Sequence, residues 1–385
     1  MRPEPLLSTS VGAGPRTEPD AGAARSSDPP AWRMGWRGDL VTAVLGAWLV
    51  GGAFLDGWAH NTRPGLESFF TPWHGVLYSG YAASTAWLCW SVWSHRRRPD
   101  VAGFGWRRWI PAGYAPALAG AGLFLVSGLG DLSWHLAFGV ERDIAALLSP
   151  THLGLFAGGF LIVTAPLRSA WTDPTLGPGA GLGALLPAVL SASLTGCATA
   201  FMFQYLHPIW DDAVSRDRAL FLRQSFDAAQ YHFVNDQNIT VGVAGFVLAT
   251  AFLFGPLLLL LRRWQPPAGS ATLVLAVQSI AVQGLTGFAD ARLALLGVAG
   301  AGVVEVLLVV VRPGPSLPPW PRWRLAVFCA LAPAAFWGVY LGGIAVADGG
   351  LGWPPELWGG AIVWSGLTLL AVALASRPPT VAGVR

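Results

Sequence analysis

Seven histidines are spread over 385 residues, and four of them fall into two copies of one pattern. The first copy reads LDGWAHNTRPGLESFFTPWHG and supplies Asp56, His60 and His74; the second reads GDLSWHLAFGVERDIAALLSPTHLG and supplies Asp131, His135 and His152. Each is an Asp, a His four residues on, and a Ser/Thr-Pro-x-His sequence beyond a turn. Residues four apart share one face of a helix, so each Asp/His pair is able to aim at a single point. A helix starting after Thr71 or Ser149 has a favoured N-cap residue followed by a favoured proline, Pro72 or Pro150. That start places His74 and His152 in the first turn, where the positive end of the helix dipole disfavours imidazolium and leaves the ring free to bind metal. Two imidazoles and a carboxylate then meet at each hairpin. Such a donor set suits copper, zinc or non-haem iron and leaves positions open for water or substrate.

Other polar residues stand near this pattern. Glu67, Glu141 and Asp143 fall in the turns between the paired ligands, either orienting the imidazoles or facing solvent. His207 and His232, with Gln204 and Asn238, occupy the corresponding region of a third hairpin as accessory ligands or as ordinary surface histidines. In a fourth, Asp290 and Arg292 form a simple ion pair. In a fifth, Asp348 precedes WPPELWGG, which stands where TPWHG stands in the first and contains no histidine. The series reads as one hairpin unit repeated, with the full site kept in the first two copies. Glu305 is isolated in an apolar run, as a proton-carrying carboxylate would be.

The elements that must position these residues are membrane helices. The chain is 53% hydrophobic and 12% charged, against the roughly 25% charge of soluble domains. Apolar windows recur at 39–59, 72–93, 112–136, 150–170, 182–206, 239–261, 271–289, 292–311, 325–346 and 357–375, each near the ~20 residues a span requires. The expected fold is all-α, a polytopic membrane helix bundle of about ten spans built from repeated helical hairpins. Residues 1–32, rich in Pro, Ala, Gly and Ser, read as a disordered cytoplasmic tail, 33–377 as the transmembrane domain, and 378–385 as a short cytoplasmic tail. No removable signal peptide is expected ahead of the first run. A polar connection over 207–237 is too long for a tight turn and reads as a lid, a docking helix or a solvated loop.

All 24 basic residues are arginine. Eighteen fall on the side of the termini and six on the other, which predicts cytoplasmic termini and a site facing outward from the cell membrane. No basic patch suits nucleic acid. Cys89, Cys197 and Cys329 lie inside apolar runs and read as small core residues. Trp58, Trp73, Trp134, Trp210, Trp353 and Trp358 gather near the outer helix ends, as an interfacial aromatic belt would.

The Asp56, His60 and His74 spacing resembles the copper-site motif of the C subunit of copper membrane monooxygenases, the particulate methane and ammonia monooxygenase family. Asp131, His135 and His152 look like the same motif with a longer turn. The resemblance covers about a tenth of the chain. It implies two coppers held by these triads, a copper-dependent oxidoreductase acting on a small apolar substrate with O2, and partner membrane subunits. Three other classes compete: a proton- or metal-coupled transporter, a haem b protein with axial histidines on facing spans, and a zinc-dependent membrane enzyme.

Overall fold

Backbone amides in lipid have no water to bond, so an apolar run must close its hydrogen bonds within itself, and each run here is helical. The computed structural model describes residues 32–63, 70–98, 105–139, 143–210, 213–312 and 320–375. The tails expected at 1–32 and 378–385 lie outside these residues apart from Trp32, as do Glu67 and Glu141. In chain order the helices are α1 (Gly35–Thr62), α2 (Pro72–Arg96), α3 (Ala115–Phe138), α4 (Asp143–Leu148), α5 (Pro150–Val163), α6 (Ala165–Trp171), α7 (Leu182–Met202), α8 (Arg216–Ser225), α9 (Ala228–Arg263), α10 (Ser270–Gly284), α11 (Ala291–Val311), α12 (Arg322–Ala347) and α13 (Pro355–Ala375). Short 3-10 turns sit at Trp106–Trp109 and Gln204–Leu206. Among the described residues no strand forms, only an isolated bridge between Ser215 and Leu351.

Eight segments are long and apolar enough to cross a membrane: α1, α3, the joined α5 and α6, α7, α9, α11, α12 and α13. The other two windows are helical but fall short of that standard. Helix α2 has 25 residues, diluted by Ser, Thr, His and Arg, and α10 has 15. Helices α10 and α11 form a tight hairpin, its turn closed through Gly287 and Phe288 at φ of 66° and 60°. The polar connection expected over 207–237 is largely helical. It contains α8, and α9 begins at Ala228 under an Asp227 N-cap whose carboxylate accepts from the Gln230 amide.

Helices α9 to α13 and α7 surround the larger apolar core, centred on side chains such as Phe246, Phe254, Phe336 and Trp337. Trp353 belongs there rather than to an interfacial belt, being 5% exposed and packed on Gly242 and Phe246. Glu305 is not isolated, because its Oε2 accepts the Thr272 amide at 3.0 Å and so caps the first turn of α10. Arg292 pairs with Asp290 as expected and also with Asp348 at 3.0 Å, joining the start of α11 to the end of α12.

A second, smaller core lies between α1, α3, α5 and α7 and includes Leu49, Phe124, Leu155 and Ile162. Helix α1 packs along α2, and α3 along α5. Close approach needs glycine here: a Cβ on Gly80 would lie 2.8 Å from the Leu49 amide, and one on Gly158 would lie 2.7 Å from the Gly120 carbonyl. At its first turns α1 is tied down by buried Asp39, whose carboxylate accepts from Tyr114 Oη at 2.5 Å and Ser169 Oγ at 3.0 Å. The other end of α1 carries the triad.

Candidate metal centre

Asp56 and His60 stand one turn apart near the end of α1, and His74 enters from the start of α2. The Asp56 carboxylate lies 3.8 Å from His60 Nε2 and 3.2 Å from His74 Nε2. Asp131 and His135 repeat the arrangement at the end of α3, with His152 from the start of α5. Asp131 Oδ1 lies 3.6 Å from His135 Nε2 and 3.5 Å from His152 Nε2. In both groups the three donor atoms all lie within 4.8 Å of one another.

The helix starts that place the later histidines form as their residues dictate. Thr71 caps α2 by accepting the His74 amide at 3.1 Å, and Ser149 caps α5 by accepting the His152 amide at 3.3 Å. Pro72 and Pro150 occupy the first helical positions. The caps therefore fix the backbone of the ligand itself.

Imidazole orientation is also built in. His135 Nδ1 lies 3.1 Å from the Gly139 carbonyl, which only accepts, so Nδ1 carries a proton and the contact orients the ring with Nε2 towards Asp131. His152 Nδ1 meets Ser149 Oγ at 2.6 Å. Thr151, which spacing did not single out, donates to Asp131 Oδ1 at 3.0 Å. Its signal was available: it is a hydroxyl residue between the capping Ser149 and the ligand His152.

Four donors at a metal, each ~2.0–2.2 Å away in tetrahedral array, sit about 3.3–3.6 Å from one another. The His–Asp distances, 3.2 to 3.8 Å, bracket that edge. Three of the four exceed the ~2.7–3.2 Å of an ordinary hydrogen bond and lie near the donor–donor edge of a metal site. Asp56 Oδ1 is buried with no hydrogen-bond partner among the described residues, a costly arrangement for a carboxylate lacking a cation. The donor set and its spacing fit a metal ion.

Both triads open on one cavity of about 560 Å³. Its wall also carries Tyr78, Arg63 and Gln204, the last accepting from Asn61 Nδ2 at 3.0 Å. Deeper along the same helices the lining turns apolar, with Val50, Phe54, Phe124, Phe156 and Phe160.

Of the accessory histidines, neither His207 nor His232 lines this cavity. His207 is 2% exposed and lines a separate space of about 20 Å³ with Tyr340 and Phe246. Its Nδ1 accepts from the Ile209 amide at 3.2 Å, and burial pushes its pKa down to about 3. His232 is exposed on α9 beside Tyr231. Asp143 begins α4, and its side chain lies outside the described residues.

Helices and site together define a helical protein of membrane-spanning composition with two groups able to hold metal. No family model, curated protein or solved structure matches the chain.

Proposed function

We propose that this chain is an integral membrane metalloprotein that holds copper in the two triads, Asp56/His60/His74 and Asp131/His135/His152, as an oxidase or monooxygenase component. The observation that carries the reading is the convergence of six ligand-type side chains from four helices on one cavity. Among divalent first-row ions, Cu(II) binds a given imidazole and carboxylate set most tightly. The resemblance of both triads to the copper motif of the membrane monooxygenase C subunit points the same way. Bound copper would supply redox chemistry towards O2. The chain's own part is to orient the imidazoles by the Gly139 and Ser149 contacts, to fix Asp131 through Thr151, and to keep water from the apolar depth of the cavity.

The same reading takes α2 and α10 as spans, for about ten in all, with both termini cytoplasmic and the triads outside, as arginine placement favours. It also takes α1/α2 and α3/α5 as copies of one hairpin. Leu49 precedes Asp56 by seven residues and Phe124 precedes Asp131 by seven; Gly80 follows His74 by six and Gly158 follows His152 by six. Gly80 presses on the Leu49 backbone as Gly158 does on that of Phe124. The haem b alternative, with His60 and His135 or His74 and His152 as axial pairs, is less favoured, because each of these rings lies 3.2–3.8 Å from an Asp carboxylate that haem ligation does not require.

Elemental analysis with optical and EPR spectra on purified protein tests the proposal. About two equivalents of copper with a nitrogen-rich Cu(II) signal are expected, and His60→Ala with His135→Ala should remove both. A Soret band would replace copper with haem, and zinc in the same sites would make the protein a hydrolase candidate. Metal content unchanged in the double variant, or no metal under replete conditions, overturns the proposal and leaves a proton-coupled transporter.

A further inference from the structure

The cavity is graded along its length. On α1 its lining runs from Val50 and Phe54 through Asp56 and His60 to Arg63, and on α5 from Phe160 and Phe156 to His152. From Val50 to Arg63 the chain rises about 20 Å at ~1.5 Å per residue. Apolar side chains occupy one end, the triads the middle and a single arginine the other end.

Arg63 is held in a way that surface arginines rarely are. Its guanidinium lies 5.0 Å from the Trp58 ring centre and 5.1 Å from that of Trp73, and the two indoles meet edge to face at 5.5 Å. Stacking on two rings fixes the arm while leaving the in-plane N–H donors available. The arginine ion pairs among the described residues engage Arg33 and Arg292 instead. A fixed guanidinium without a carboxylate partner among the described residues, at the mouth of an apolar chamber, matches a planar carboxylate bidentately.

We propose that the cavity binds a single-chain amphiphile with a carboxylate head, a fatty acid, whose head is held by Arg63 between Trp58 and Trp73 and whose chain lies between the triads on Phe54, Phe124, Phe156 and Phe160. The volume, about 560 Å³, is in the ~300–1,000 Å³ range of sites for one small ligand rather than a two-chain lipid. The inference rests on the copper reading only in making this molecule the substrate; its binding does not need the metal.

The test uses chelator-treated, full-length protein in phosphatidylcholine nanodiscs, with radiolabelled dodecanoate and dodecanol measured against empty discs. Saturable dodecanoate binding is expected, weakened about tenfold to a hundredfold in Arg63→Gln, with dodecanol binding the same in both proteins. Retained dodecanol binding also shows that the variant is folded. Ala53→Phe, which narrows the apolar chamber, should weaken both ligands. Equal binding of dodecanoate to wild type and Arg63→Gln, no saturable binding, or complete competition by inorganic phosphate overturns the proposal. Because all measurements are made without metal, failure of the copper reading leaves the result interpretable.

Discussion

Replacing Thr151 with valine removes one hydroxyl and little volume from the second triad. That hydroxyl donates to Asp131 Oδ1 at 3.0 Å, the same oxygen that faces His135 Nε2 at 3.6 Å and His152 Nε2 at 3.5 Å. Without it the carboxylate keeps its place on α3 but loses the contact that fixes its rotation. Removing such an orienting partner typically costs about tenfold to a hundredfold in metal affinity, or about 1.4–2.7 kcal/mol. The first triad is an internal control. The residue before its His74 is Trp73, so no hydroxyl supports Asp56 in the same way. The assay is a competitive chelator titration of Cu(II) in two backgrounds: His60→Ala to read the second triad alone, and His135→Ala to read the first. Thr151→Val should weaken the second triad and leave the first unchanged. Unchanged affinity at the second triad, or equal losses at both, would refute the argument that Thr151 acts through Asp131.

Thr71→Ala should destabilise the start of α2 by about 1 kcal/mol, read by thermal unfolding. Ser149→Ala should cost a similar amount and also lower metal affinity, because Ser149 meets the His152 ring as well as its amide. Gly158→Ala forces a Cβ to within 2.7 Å of the Gly120 carbonyl and 2.8 Å of the Phe124 amide; backbone cannot yield as a side chain can, so a loss of about 1–3 kcal/mol or more is expected in the same assay. His207 is neutral when folded, with a pKa of about 3, and titrates near 6.5 when unfolded. The unfolded chain therefore binds the extra proton between these values, and stability is full above about pH 6.5 and falls as pH drops towards 3. At pH 5 this amounts to about 2 kcal/mol, and His207→Gln should remove that part of the acid sensitivity in unfolding measured across the window.

The triads were legible because their chemistry is local. A four-residue step on a helix and a Ser/Thr-Pro start both act within one or two turns, so sequence alone placed Asp56 with His60 and put Thr71 and Ser149 at the caps. The ten windows mark helical segments for the same reason. The shared cavity was not legible, since it depends on how α1/α2 lies against α3/α5, and that is decided by contacts such as Tyr81 on the Ala121 carbonyl and the Phe124 ring. Arg63 was read only as a flanking charge, because its hold on Trp58 and Trp73 exists only after the hairpin closes. The polar stretch over 207–237 left a lid, a docking helix and a solvated loop open, because α8 spans only ten residues and its apolar ones, Ala219 to Leu222, are consecutive and too few to show a period. His207 lies away from the triads' cavity because the turn after α7 buries it beside a small space shared with Tyr340 and Phe246.

Burial adds a reason why the two triads should act through one chamber rather than as separate surface sites. Asp131 is 1% exposed and Asp56 Oδ1 has no hydrogen-bond partner among the described residues, so each triad brings a poorly solvated carboxylate to the cavity wall. A cation bound to either one offsets that cost and at the same time joins two helices, α1 to α2 or α3 to α5. Binding energy is thereby folding energy for each hairpin, worth about 2.7 kcal/mol at a hundred times the dissociation constant. The helices so fastened are also those whose inner turns form the apolar chamber. The same four helices are already packed through Leu49, Phe124, Leu155 and the contacts at Gly80 and Gly158, so a cation would add to the stability of a chamber that the apolar packing shapes without it.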